Sequence, residues 1–581
     1  MTKADKATPK PTIAQSFLIA DCGHVNTTLA LFDAAIDSYR LIARATIGTT
    51  ADEPFNDISL GVRQAVRQLT AITGRPLLND DDTLIKPARP DGSGVDHFAL
   101  TISAAPPLQT ILIGLFDDVS LASARRALDN VYFHEADTFS LSDDRDAKAQ
   151  VAAFLRIKPD LVFITGGTDG GAEKRLLELI ESASLGVNVL AGIKKPQVIY
   201  AGNKELRERV RRIMGNKAEL LVADNVRPHL NHENLDDAIK VVSNLYERQI
   251  ATMPGMETLQ KWSGVTPQPT AQAFAAITDY FAALNKGSVV GIDLGSHSVT
   301  LVVADPEQRD LTINAEMGIG YVARLLAKST PAEIARWVPF EIEETAVRDY
   351  IYNKALHPQL IPATETELFL DQAAAREIMH HVVSDSMKQW TQSDDGTLPP
   401  FQLLLARGST LTNAPRAGQA MLMLLDALQP TGIFAVALDR YGMLPALGML
   451  AEMEPLVAVQ VLENVVLENL GWVVVPVGKG QAGQPVLNVT LNSDLDTELE
   501  VEVMYGTIEV IPLKPGDKTD VLLTPNGRFD IGLGAGKSQK FTTEPGSVGL
   551  IVDARGRPLV FPDDDIERQE LVRKWIWDVG G

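Results

Sequence analysis

The stretch Phe17-Leu-Ile-Ala-Asp21-Cys22-Gly23-His24-Val-Asn-Thr27-Thr28-Leu29-Ala-Leu-Phe-Asp33 is matched without a gap by Val289-Val-Gly-Ile-Asp293-Leu-Gly295-Ser296-His297-Ser298-Val-Thr300-Leu301-Val-Val-Ala-Asp305. Each copy reads as an apolar strand ending at an aspartate, a glycine-containing turn and a second apolar strand, which predicts a β-hairpin with a polar tip. Glycine lets the backbone adopt positive φ and lets a phosphate approach without meeting a Cβ, while amide N–H groups and Ser/Thr hydroxyls supply donors. Thr27, Thr28, Ser296, Ser298 and Thr300 are the candidate phosphate donors, with Gly23 and Gly295 at the turns. The strand-end aspartates Asp21 and Asp293 are placed to hold Mg²⁺ through its waters, since that hard ion keeps much of its hydration and bridges carboxylate to phosphate. One such hairpin is an ordinary turn; two in register point to a nucleotide held by two related domains.

Working outward, 581 residues with 45% hydrophobic and 22% charged side chains predict a globular chain of several domains. A formal net charge of −22 argues against a nucleic-acid surface, which needs clustered Lys and Arg. Cys22 is the single cysteine, so no intramolecular disulfide can form and the chain fits a reducing cytoplasm. A buried apolar role suits Cys22 better than a catalytic one. Residues 1–14 are polar, carry prolines and read as a flexible tail rather than a signal peptide, and no apolar run is long enough for a membrane span.

Between the copies the pattern becomes an α/β alternation. Helical spacing occurs over 57–73, 122–130, 146–155 and 172–182, and apolar strands over 108–116, 160–165 and 196–201. This predicts a mainly parallel sheet covered by helices. The strand 160–165 runs into Gly166-Gly-Thr-Asp169-Gly-Gly171, placing Asp169 at the carboxyl end of a strand, the edge where open α/β sheets set their ligands. Asp169 is therefore the candidate to orient an attacking water, with a tight turn capped by its side chain as the competing reading. After the second copy, residues 328–395 are helix-rich, and strand 401–405 leads into Ala406-Arg407-Gly408-Ser409. Beyond about residue 471, short alternating segments broken by Gly, Pro, Asn and Asp predict a β-barrel or sandwich, closed by a helix over 566–578 whose Trp575 and Trp577 are expected to dock on a neighbouring domain.

Two Asp-x-Gly hairpins around an α/β region, followed by a strand and a glycine turn, resemble the fold shared by actin, heat-shock chaperones and sugar kinases. The longer phrases Pro159-Asp160 to Gly171, Val198-Ile-Tyr-Ala201-Gly202-Asn203, Asn225-Val-Arg-Pro228, Met253-Pro-Gly255, Pro267-Gln-Pro-Thr270, Leu438-Asp439-Arg440-Tyr441-Gly442 and Asp553-Ala-Arg555-Gly556-Arg557-Pro558 resemble the MutL/GlmL family of glutamate mutase accessory proteins. The resemblance implies an α/β, two-domain actin-like ATPase fold with a C-terminal β-rich module, divided as 15–287, 288–465 and 466–581. It implies ATP with Mg²⁺, places Gly408 and Ser409 at the adenosine, and suggests a protein partner such as an adenosylcobalamin-dependent mutase. Three departures from the family pattern stand out: Gly295-Ser-His-Ser298 at the second tip, Pro106-Pro107 where paired glycines are expected, and Arg407 before a lone glycine. Arg407 either stacks on adenine or obstructs it. The function expected is an ATP-binding accessory or chaperone-like protein with slow ATPase activity; a nucleotide-independent scaffold and a small-molecule kinase are the alternatives.

Overall fold

Each copy of the repeated phrase folds as two antiparallel strands, and the sheets built on them share one strand order. In the computed structural model, Phe17–Cys22 pairs with Asn26–Ala35 and this with Ser38–Gly48, all antiparallel, while His97–Ile102 runs parallel to Phe17–Cys22 on its other side and takes the short Gln268–Pro269 strand beyond it. The second copy repeats the plan. Val289–Leu294 pairs with Val299–Ala304 and this with Arg309–Asn314, with Leu403–Arg407 and then Gly432–Leu438 added in parallel. Described are residues 15–35, 38–391, 397–464, 467–492, 498–513 and 518–580; the expected tail 1–14 lies outside them. The chain divides into two units, Met1–Ala104 with Ile250–Ala273 and Met443–Val466, and Ala105–Gln249 with Phe274–Gly442 and Leu467–Gly581.

In the first unit the helix Ile58–Thr73 follows the hairpin because Asp57 caps it, accepting from the Ser59 N–H, and Gly74 ends it in the left-handed region at φ 70°. Its apolar stripe, Val62, Ala65, Val66 and Leu69, is buried, and the helix lies on the strands Asn26–Ala35 and Ser38–Gly48. Thr50 fixes the helix start. Its hydroxyl donates to the Asp57 carbonyl at 2.6 Å and accepts the Gly61 N–H at 2.8 Å.

In the second unit the expected α/β alternation forms a sheet of its own rather than extending the first hairpin's sheet. Its strands Phe133–Phe139, Leu108–Ile113, Leu161–Ile164, Gln197–Tyr200 and Glu219–Val222 are all parallel and lie in that spatial order. Counted along the chain the order is 2-1-3-4-5, a doubly wound arrangement whose ligand edge is the carboxyl end. The C-terminal β-rich region also divides. Glu468–Val475, Gly549–Asp553 and Ile508–Ile511 continue the second hairpin's sheet to eight strands, while Pro485–Asn492, Glu498–Met504, Thr519–Pro525 and Gln539–Thr543 form a separate four-stranded sheet. A core of Val474, Val489, Leu523, Phe529 and Leu550 is shared by strands of both. In the final helix, Asp565–Asp578, Trp575 is buried in the core of its own unit, while Trp577 is 76% exposed and does not dock as expected. Among the described residues no helix is long and apolar enough to cross a membrane.

Candidate functional site

The two hairpin tips are built alike. Gly23 N–H donates to the Asn26 carbonyl at 2.9 Å, and Gly295 N–H donates to the Ser298 carbonyl at the same distance. Strand register then sets Asp21 opposite Thr28 and Asp293 opposite Thr300, so each aspartate shares a sheet face with a threonine. Cys22 and Thr27 are also paired and point to the other face. Both are fully buried, Thr27 beneath Gly61 of the capped helix. A hydroxyl enclosed there presents nothing to a phosphate, which removes Thr27 from the expected donor set. Burial, with a smaller contribution from the Asp21 carboxylate, pushes the Cys22 thiol far above its ordinary range, so it is an inert core thiol.

At the first tip Asp21 Oδ1 accepts two hydroxyl donors, Thr101 at 3.0 Å and Thr270 at 2.8 Å. Thr101 is the residue in register with Asp21 on the parallel strand. At the second tip the residue in that position is Arg407. Its Nη1 donates to Asp293 Oδ2 at 2.7 Å, and its Nε stands 3.9 Å from Asp439 Oδ2. Asp439 is fully buried. The register position beside the strand-end aspartate thus carries a neutral hydroxyl in one copy and a guanidinium in the other. Of the two readings of Arg407, stacking or obstruction, the structure supports a third: it is an ion-pair partner of the strand-end aspartate.

The second tip also has a cover. Ile319 N–H donates to the Gly295 carbonyl at 3.1 Å and Gly320 N–H to the Ser296 carbonyl at 2.6 Å. A Cβ on Gly318 or Gly320 would collide with Ser296. The adjoining Tyr321 ring packs edge-on to His297, centroids 4.4 Å apart. His297 is therefore half-buried; burial lowers its pKa to about 4, leaving a neutral ring at physiological pH. Ser296 Oγ lies 3.2 Å from His297 Nδ1, Ser298 is half-buried and Thr300 is buried. Gly408 has φ 133° and fits against the Leu294 carbonyl, where a Cβ would collide. Its lack of a side chain is thus used inside the sheet. Ser409 is exposed and starts the short helix Ser409–Thr412.

Asp169 stands on the parallel sheet's carboxyl edge. Its Oδ1 accepts from Asn225 Nδ2 at 2.9 Å and from the Lys204 N–H at 3.1 Å, and its N–H donates to the Pro228 carbonyl. Asn203 Oδ1 receives the Gly170 N–H. Partial burial works to raise the Asp169 pKa, but these hydrogen bonds and the Lys204 charge outweigh it and hold the carboxyl below its ordinary value. Such a carboxylate is a weak proton acceptor. The contacts seen tie the loop to two distant segments and are not the local side-chain cap of the competing reading, since the following helix, Lys174–Leu190, begins without a side-chain cap bond. Three phrases far apart in the chain, 166–171, 202–203 and 225–228, thereby meet in one polar cluster.

Thr101, Thr270, Asp439 and the pair Gly318/Gly320 were not among the residues expected at the site. Thr270 and Asp439 stand inside phrases already quoted, and the spaced glycines after the third strand are the signal for the cover. Among the described residues no group of three or more His, Cys, Asp or Glu is arranged to hold a metal ion.

A family model described as MutL protein matches residues 17–466. Protein MutL of Clostridium tetanomorphum is 24% identical over 397 residues, covering 62% of this chain and 76% of that one. Similar solved structures include a nucleotide-free diol dehydratase-reactivating factor, 11% identical over 78% of this chain and 99% of that one with a TM-score of 0.32. Gluconate kinase from Lactobacillus acidophilus is 9% identical over 76% and 89%, with a TM-score of 0.29. With the match to the family model running from the first strand of the first hairpin to residue 466, the chain belongs to the MutL protein family.

Proposed function

We propose that this protein is an ATP-binding accessory protein, chaperone-like in action, whose two hairpin tips contact the nucleotide's phosphates. The observation that carries this reading is the duplication of the Asp-x-Gly tip, closed by the same Gly N–H to carbonyl bond in two sheets of the same strand order. Gly23, Thr28, Gly295, Ser296 and Ser298 are the proposed phosphate contacts, with Gly408 and Ser409 toward the nucleoside. Hydrolysis is proposed to be slow, since Asp169 is committed to Asn225 and Lys204 and phosphoryl transfer depends on a group free to orient water.

Magnesium fits the two aspartates unequally. Asp21 accepts from two uncharged hydroxyls, those of Thr101 and Thr270, and a strand-end carboxylate of this kind is a ligand type that suits a hydrated cation. Asp293 is already neutralised by a guanidinium. We therefore place any metal at Asp21, and assign to Asp293 no metal step. The single cysteine, a free thiol, suits the reducing cytoplasm proposed for the protein.

Isothermal titration with ATP and ADP tests the reading. Wild type should bind, and Asp21→Ala and Asp293→Ala should each weaken binding by about tenfold or more. Absence of binding by wild type would leave the nucleotide-independent scaffold as the better account. The finer proposal, that the partner is an adenosylcobalamin-dependent mutase, is tested with a purified mutase holding damaged cofactor. ATP-dependent release of the corrinoid, followed by absorbance, is the expected result; release unaffected by this protein and ATP refutes that partner.

A further inference from the structure

The repeat makes its own internal control for the second hairpin. In both sheets the strand-end aspartate faces the same register position of the parallel neighbour, occupied by Thr101 in one and Arg407 in the other. Thr101 contributes a neutral donor; Arg407 contributes a full positive charge. That charge is held on two sides, by Asp293 at Nη1 and Asp439 at Nε, and Nη2 lies beside Gly442. Leu438 and Gly442 bracket the turn that carries Asp439, whose N–H donates to the Ala406 carbonyl at 2.8 Å, so the acid is fixed to the strand end that bears Arg407.

We infer that Arg407 replaces a divalent cation at the second hairpin: Asp293 holds a guanidinium there, and the guanidinium is the group that meets phosphate. This rests on the nucleotide reading above only for its phosphate part. The physical argument is one of competition. A hydrated divalent ion approaching Asp293 must displace a hydrogen-bonded guanidinium or sit next to its positive charge, and like charges at such range repel strongly where water is partly excluded. Magnesium also gives up its waters reluctantly. Arginine needs none of this: its charge is permanent, and its planar fork of donors matches phosphate oxygens as well as carboxylate. Asp293 and Asp439 then act as positioning residues. They orient the fork and keep it at the strand end.

Manganese, observed by electron paramagnetic resonance, is the probe for the metal part and uses the protein without nucleotide. Any Mn²⁺ bound by wild type should be insensitive to Asp293→Asn, and Arg407→Gln should gain a site that Arg407→Gln/Asp293→Asn lacks. Arg407→Lys, which keeps the charge, should gain none. Titration of ATP tests the phosphate part: Arg407→Gln should bind about tenfold more weakly than wild type, and Arg407→Lys should fall between them. Loss of wild-type Mn²⁺ binding on Asp293→Asn overturns the replacement, as does ATP affinity unchanged within about twofold in Arg407→Gln. Thermal melting of each variant is run alongside. If Arg407→Gln does not fold, the wild-type, Asp293→Asn and Arg407→Lys arms still decide the metal question. Failure of wild type to bind ATP at all overturns the nucleotide reading and the phosphate contact together, while the manganese arm stands by itself.

Discussion

His297 packs its ring against Tyr321 at the second tip, and its burial has a consequence for pH. An ordinary histidine titrates near 6.5, this one near 4. In the unfolded chain the ring is protonated as pH falls below 6.5, while the folded ring resists until about 4. The unfolded state therefore binds more protons in that window, and stability falls as pH drops through it. Denaturant midpoints between pH 7 and pH 4.5 should decline more steeply in wild type than in His297→Gln; parallel curves would show that the ring is solvated. Sequence alone carried the aspartates, the glycines and the threonine partners, because strand register in a hairpin is local and follows from alternation. It could not carry Thr101, Thr270 or Arg407 as partners of those aspartates, since their contacts cross parallel strands closed over long loops, and nothing in a strand's own pattern names its neighbour. Thr27 was misjudged for a related reason: which face of the strand is covered depends on where the following helix lies.

At the scale of elements, the cover over the second tip is the least expected piece. Residues 316–321 reach the tip through two backbone hydrogen bonds from Ile319 and Gly320, and Gly318 lies where no side chain fits against the Ser296 carbonyl. The clash is with backbone, so it cannot be relieved by turning a rotamer. Gly318→Ala should push the segment off the tip, destabilise the protein by about 1–3 kcal/mol, and loosen ligand binding by the second hairpin more than the stability loss accounts for. Denaturation and ATP titration on the same variant separate the two effects. An unchanged midpoint would mean that the segment shifts at no cost. The hairpins, the capped helix and the parallel strands were legible because each is specified by a local signal: a turn glycine, an Asp cap, an apolar run between breakers. The split of the C-terminal strands was not. Gly432–Leu438 pairs with Glu468–Val475, and that strand pairs with Gly549–Asp553, and alternation says only that a strand is half-buried, never which sheet takes it.

For the whole molecule, three of the C-terminal strands, Glu468–Val475, Ile508–Ile511 and Gly549–Asp553, belong to the second hairpin's sheet. The match to the family model runs to residue 466, and the sheet continues through strands beyond it, held by a chain of buried charges. Arg376 pairs with Asp426 at 2.7 Å, Asp426 with Arg555 at 2.8 Å, Arg555 with Asp553 at 2.8 Å, and Asp553 with Arg557 at 2.6 Å. Arg555 also lies over the Trp575 ring, 4.5 Å from its centroid. The phrase Asp553-Ala-Arg555-Gly-Arg557, to which the sequence assigned no chemistry, thus ties a sheet strand to the helices Glu365–Thr391, Ala417–Leu428 and Asp565–Asp578. Burial alone would raise the Asp553 pKa, but the two guanidinium groups overcome this and hold the carboxyl well below its ordinary range. Its stabilising contribution is therefore complete above about pH 4 and lost as pH falls below that. Arg555→Met should cost about 3–5 kcal/mol at pH 7, because it strands two buried carboxylates with one cation each, and should move acid unfolding to higher pH. Adding Asp553→Leu should recover part of the loss, since a buried pair replaced on both sides by apolar groups is far less costly than one cut in half. A loss below about 1 kcal/mol in Arg555→Met, in the range of an exposed pair, would mean that water reaches the network and that apolar packing holds the C-terminal strands in place.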